Sequence, residues 1–400
     1  MKRYYFKAIH ILLLLIPVFM FFVSCESENT KTTNDKSGSA QNQEKQEKNT
    51  SSSKILSSKK QSLFAIITEE GFGYINSKGE VVIPPQFDIA DNFSEGLALI
   101  AVEDKHGVKF GFIDEMGEIV ITPQYIEVGK KYGFMKNTMA LEFKAQETKL
   151  LDNFSEGLIA VKIGDNWGYY DKKGQTVIAP QFDEAYSFSE GLALVKINGK
   201  YGFIDKTGKM VIEPVYLKAH PFSEGLAGVS IGNRWGYINH KGQIEITPQF
   251  ENISWFSEGL AAIEIGNKWG YIDKEGHYSI NPQFDLAWNF SEKLAGVCIN
   301  DSWGYIDKTG QFVINPQFSM VSDFKSGLAR VGIGDDMFHL KWGFINKDGK
   351  YVVNPQFDSA MDFNNGLAFV SVEIVENGGI NGYISYIDKT GKTIWRFPEP

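Results

Sequence analysis

The chain has 400 residues, a formal net charge of −9, 43% hydrophobic and 22% charged residues, and two cysteines, Cys25 and Cys298. A disulfide-stapled miniprotein, wholesale disorder and a polytopic membrane protein are all excluded by that balance. The length fits two or three domains or one long array.

Residues 1–24 carry Lys2, Arg3 and Lys7 ahead of an apolar run that contains Pro17 and ends Phe22-Val23-Ser24-Cys25. A basic start, a short apolar core and a small residue before a cysteine form a secretion signal. The run is short for a helix that must cross about 30 Å of hydrocarbon. Phe22-Val23-Ser24-Cys25 resembles a bacterial lipobox, although Phe22 departs from the usual aliphatic residue there. The resemblance implies cleavage before Cys25 and lipidation of its thiol. An uncleaved N-terminal anchor is the alternative, and either way the remainder is exported and membrane-tethered. Residues 25–60 are then the lipidated cysteine and a disordered polar linker, because Ser, Thr, Asn, Gln, Lys and Glu cannot offset chain entropy by burial. Fully extended, such a linker reaches on the order of 100 Å.

Residues 61–400 are one repeat domain. Trp167-Gly168, Tyr201-Gly202, Trp235-Gly236, Trp269-Gly270 and Trp303-Gly304 place their glycines 34 residues apart. Weaker copies are Phe72-Gly73, Phe110-Gly111, Trp342-Gly343 and a last unit around Ser385-Tyr386-Ile387-Asp388, giving nine units. Tyr132-Gly133 marks a tenth, degenerate copy over 129–152. The consensus F-S-E-G-L-A-x-V-x-I-x-x-x-W-G-Y-I-D-K-x-G-x-x-V-I-x-P-Q-F-D-x-A resembles the WG (KWG) repeat family of bacterial proteins, over residues 63–397. That resemblance implies an architecture and no shared activity.

Each unit reads as three short strands. Leu192–Ile197 buries one face through Ala193, Val195 and Ile197. In the next strand Trp235 and Tyr237 share one face and Gly236 and Ile238 the other. Asp205-Lys-Thr-Gly208 is a tight hairpin turn, and the third strand carries a proline, as in Val313-Ile-Asn-Pro316, which makes it an edge. The fold class is all-β: tandem three-stranded meanders that must stack on one another. They close into a β-propeller-like ring, with a stretch such as Ala185–Phe188 supplying a fourth, inner strand, or they continue as an open β superhelix. Helix is nearly absent.

Asp114, Asp171, Asp205, Asp273, Asp307 and Asp388 recur at one position, replaced by Asn76, Asn239 and Asn346, which reads as a turn residue bonding local backbone N–H groups. Glu95, Glu156, Glu190, Glu224 and Glu258 read the same way. The W-G rings read as core packing in preference to a sugar-stacking ladder. Cys298 shares a position with Lys196, Ser230 and Glu264 and is placed on a polar strand face. Specificity lives in departures from the consensus: Tyr186, His220, Trp255 and Trp288 stand before successive F-S-E-G turns and form a candidate ligand-binding rim. The alternative is plugging between units. The insert 335–341 and the loop 376–381 are second candidates.

No catalytic residue, metal site or cofactor is expected, because the histidines are scattered and no phosphate loop or nucleophile elbow is present. Loss of a leader carrying Lys2, Arg3 and Lys7 takes the charge from −9 to −12, which disfavours nucleic acid. The expected protein is a monomeric envelope lipoprotein, held by its lipid on the periplasmic face or the cell surface. It binds or scaffolds a protein or polysaccharide partner. A glycan hydrolase, for which Asp335 and Asp336 are the obvious non-repeat carboxylates, and a structural spacer are the rivals.

Overall fold

A computed structural model of the chain describes residues 62–104, 107–124, 153–335, 339–376 and 379–398. The leader, Cys25, the linker and the degenerate copy over 129–152 lie outside the described residues. Those described form nine antiparallel sheets and no helix, arranged as a nine-bladed β-propeller. The blades run over residues 63–87, 89–124, 158–182, 184–216, 227–250, 252–284, 286–318, 320–357 and 359–397, numbered 1 to 9 below.

Blade 4 shows the plan: Glu184–Ser189, Leu192–Ile197, Lys200–Asp205 and Met210–Tyr216 follow one another across the sheet in chain order. The proline-bearing strand is an edge, as expected. The extra strand that 34 residues left in doubt exists, mostly as two residues such as Ile89–Ala90 or Leu286–Ala287. Blades 1, 3 and 5 show only three strands among the described residues.

The consensus prolines stand in a bulge, not merely at an edge. In blade 6 Tyr271 pairs with Ile280 and Trp269 with Phe284, so between these pairs the single residue Gly270 faces three, Asn281 to Gln283, on the other strand. The bulge folds backbone over the W-G glycine: a Cβ on Gly270 would meet Ile280 O at 2.5 Å and Pro282 N at 2.6 Å. Ser385 tolerates a side chain because blade 9 pairs it directly with Arg396 and has no proline there.

Blades stack face to face, which corrects the one-face expectation for Leu192–Ile197: Leu192 to Val195 are all buried. Trp235 and Tyr237 pack with Ile253, Phe256 and Ile263 of blade 6, whereas Ile238 packs with Leu194 and Phe203 of blade 4. Each hairpin-turn glycine lies against the third strand of the preceding blade, from Gly117 on Ile83 to Gly391 on Val353. Gly79 of blade 1 lies on Ile394 of blade 9 in the same way, and the Tyr386 hydroxyl donates to Ala65 O at 2.8 Å. The open superhelix is thereby excluded. Ser94 Oγ of blade 2 donates to Phe154 O at 3.0 Å and Gly157 N donates to Glu95 Oε2 at 3.0 Å. Blades 2 and 3 are therefore direct neighbours, and the ring counts nine without the degenerate copy.

Candidate binding rim

Tyr186, His220 and Trp288 occupy one repeat position, and each covers the W-G aromatic of its own blade. Trp288 stacks on Trp303 with centroids 5.0 Å apart and planes at 13°, His220 lies 4.7 Å from Trp235, and Tyr186 meets Tyr201 edge-on at 6.3 Å. All three are half-buried. Trp255 stands one residue further along, so Ser254 holds the equivalent place in blade 6. The four residues therefore do not form one uniform row, and three of them plug their own blade as well as facing outward.

The strand opposite sets what fits. Trp288 N donates to Gly296 O, His220 N to Gly228 O, Ser254 N to Ala262 O and Ser322 N to Arg330 O. His220 and Trp288 face glycine, serine faces alanine or arginine, and Tyr186, edge-on to its ring, stands in a blade with Leu194 at that opposite position. In blade 8 Arg330, only 3% exposed, reaches from that opposite strand over Trp342, its guanidinium carbon 4.6 Å from the ring centroid. Sequence reading missed Arg330; the only signal was a charged residue where other units have Ala262 or Gly296.

Electrostatics vary along the rim. In blade 4 Glu184 accepts from Tyr201 at 2.9 Å, Tyr186 at 3.1 Å and Lys196 at 2.9 Å. Burial, then the Tyr201 hydroxyl, raises the Tyr186 phenol. Burial lowers His220 to about 4, with its Nδ1 enclosed and without a hydrogen-bond partner. Between blades 8 and 9, Asp362 lies 3.6 Å from Arg330 and 3.8 Å from Lys325. Burial first, then the Asp362 charge, raises Asp323 to about 7. Asp323 and Asp362 are thus a carboxylate pair from neighbouring blades that sequence reading did not single out. Asp336 lies outside the described residues, as do Asn377 and Gly378 of the other candidate loop.

The repeated acids have separate roles. Asp205 Oδ1 accepts Thr207 N at 2.9 Å and Lys209 N at 3.1 Å, the local turn role expected of it, and the Thr207 hydroxyl holds its carboxyl below the ordinary range. The S-E-G glutamates correct the reading given to them. Glu156, at φ 52°, accepts Gly191 N of the next blade at 3.1 Å and pairs with Lys206 at 2.9 Å, so it is a clamp between blades. The same clamp recurs at Glu95, Glu190, Glu224, Glu258 and Glu292. Cys298 is 4% exposed and packed with Trp303, Phe318 and Phe324, not polar-facing, because the bulky Trp288 and Trp303 cover it. Four of the five W-G tryptophans are core, as expected: Trp167, Trp235, Trp303 and Trp342 are at most 9% exposed, whereas Trp269 is half-buried.

A family model described as a WG containing repeat matches residues 72–105, 110–130, 150–167, 167–201, 201–235, 235–269, 269–302, 303–335 and 342–373. No curated protein matches the chain.

Proposed function

The chain belongs to the family of WG-containing repeats, and from that premise we propose that it is a non-enzymatic envelope protein whose nine-bladed ring binds a protein or glycan partner. The observation that carries this reading is the division of labour along the rim. Turn aspartates, clamp glutamates and bulge glycines repeat from blade to blade, while the groups over the W-G rings change from tyrosine to histidine, tryptophan and arginine, and Trp269 has none among the described residues. Scaffold positions repeat in such arrays, and variable ones give a surface its selectivity. The tether is part of the same proposal and rests on residues 1–60 alone: a cleaved leader, diacylglycerol on Cys25, and a polar linker.

The test is capture from envelope extracts, with a polysaccharide panel beside it, comparing the parent with a folded Tyr186, Trp255, Trp288 triple alanine variant. Loss of one defined partner in the variant supports the reading, and equal capture by both removes the rim from it. Cys25→Ala should move the protein from the membrane to the soluble fraction and abolish labelling by a fatty acid.

Asp323 and Asp362 favour a second reading, a glycan hydrolase, since a buried carboxyl raised to about 7 with a second carboxyl group close enough to act on it suits acid-assisted glycoside cleavage. Release of reducing ends that Asp323→Asn abolishes would favour it over the binding reading.

A further inference from the structure

Five consecutive W-G rings, from Tyr201 to Trp342, differ in one respect. Four are covered from within the chain, by Tyr186, His220, Trp288 and Arg330. The fifth, Trp269, is half-buried, and Ser254 stands where its neighbours carry the covering group. Ser254 turns its hydroxyl to its own strand pair, accepting from Ala262 N at 2.9 Å. Among the described residues no ring or cation is stacked on Trp269.

The polar groups beside Trp269 say what would fit. Glu264 is its direct cross-strand partner and so shares its face of the sheet; Asn252 Nδ2 donates to the Glu264 carboxylate. In blade 4 the corresponding row is Glu184, Lys196 and Tyr201, with the Lys196 ammonium 5.1 Å from the Tyr201 centroid and bonded to Glu184. In blade 8 the cover is a guanidinium on Trp342 with Asp362 beside it. The molecule thus shows twice, with its own side chains, a W-G ring covered by a cation that a carboxylate accompanies. Blade 6 has the ring and the carboxylate but supplies no cation, and the whole chain is acidic at −9.

We infer that Trp269 and Glu264 form a docking point for an arginine side chain of a basic segment on a partner protein. A guanidinium stacks flat on an indole face and keeps its N–H groups free for a carboxylate in the ring plane, which a lysine does less well. This rests on the binding reading above and names the class of its partner.

The test titrates the intact chain with N-acetylarginine amide, with its neutral isostere N-acetylcitrulline amide and with a methyl glucoside, at low salt and probe concentrations on the order of 10 mM. The arginine probe should bind at least about tenfold more tightly than the citrulline probe, and Glu264→Gln should weaken it by about fivefold or more. A Ser254→Trp, Ala262→Gly variant, which copies the Trp288 and Gly296 pair, should lose the arginine site while retaining the parent's unfolding midpoint. Equal binding of citrulline, indifference to Glu264→Gln, or no saturable arginine binding by the parent overturns the inference. Saturation by the glucoside alone also overturns it but leaves the binding reading intact. That reading falls only if envelope capture and the polysaccharide panel are empty as well.

Discussion

Trp288 and Gly296 are made for each other: the Trp288 amide donates to Gly296 O at 2.8 Å, and a Cβ on Gly296 would lie 2.8 Å from Trp288 Cδ1 and 2.9 Å from Val321 Cγ2. The pair fixes a stacked Trp288 on Trp303 that no single repeat position specifies. Gly296→Ala should therefore destabilise the ring by about 1–3 kcal/mol through overpacking. Trp288→Ser in the same chain should recover the part of that loss due to Trp288 and leave the part due to Val321, whose counterpart is the smaller Ala287 where blade 6 carries Ser254 and Ala262. Chemical unfolding of the two single variants and the double variant measures the coupling, and additive losses would show that the two positions are independent.

The bulge glycine makes a sharper contrast. Gly270→Ser places a Cβ against both Ile280 O and Pro282 N, which are backbone atoms and cannot rotate away. A loss of about 3 kcal/mol or more is expected, in the range reserved for core and backbone conflicts. Ser385→Gly, at the equivalent position of a blade without the bulge, loses the Ser385 Oγ donation to Trp395 O at 2.7 Å and costs about 1 kcal/mol. Similar losses in the two variants would remove the bulge as the reason for the W-G glycine.

What could be read in advance follows from which features repeat. The 34-residue spacing, the strand order and the aspartate turns are local or recur in every unit, so one chain displays them many times over. The inner strand was foreseen from blade 4, where Glu184–Ser189 is long, while its two-residue counterparts leave no pattern of their own. Clamp glutamates were misread because Glu156 and Gly191 lie 35 residues apart, and one sequence does not say which blade a side chain faces. Cys298 was misread for a related reason. Its position carries Lys196, Ser230 and Glu264 in blades 4, 5 and 6, and residue type alone does not show that the side chain there packs beside the W-G ring, as Cys298 does beside Trp303. Ring closure is expected from the repeat with an open superhelix as its alternative, and only the structure separates the two, since closure depends on curvature summed over nine seams.

Closure itself is open to test. Six seams, from blades 2 and 3 to blades 7 and 8, carry a glutamate clamp; among the described residues the seams between blades 8 and 9, 9 and 1, and 1 and 2 have none, and that between blades 9 and 1 also has no chain connection across it. Tyr386 instead donates to Ala65 O, the counterpart of Leu99 O, which in blade 2 accepts the Asp91 amide. Tyr386→Phe should cost about 1–2 kcal/mol and raise amide exchange selectively in blades 1 and 9, the weakest place to open a ring. Tyr305→Phe removes the same kind of bond, to Ser322 O at 2.7 Å, at a clamped seam and should not produce that local pattern. Uniform exchange changes in both variants would argue that the terminal seam is no weaker than the rest.

Asp323 and His220 pull the pH dependence of stability in opposite directions. Burial lifts Asp323 from an ordinary 3.8 to about 7, so between those values the folded chain holds a proton that the unfolded chain has released, and stability falls as pH rises. Burial lowers His220 from 6.5 to about 4, so over that interval the unfolded chain holds the extra proton and stability rises with pH. The two slopes oppose each other from about pH 4 to 6.5, with one full proton setting a ceiling of about 1.4 kcal/mol per pH unit for each. Asp323→Asn should therefore steepen the rise of stability with pH in this window and remove the decline between about 6.5 and 7. Asp91, also raised by burial, contributes in the same sense as Asp323, so the comparison is between variant and parent at each pH. Urea midpoints across pH 4 to 8 measure it. A parallel offset between Asp323→Asn and parent would mean that Asp323 titrates alike in the folded and unfolded chain, and that its place beside Asp362 does not hold its proton.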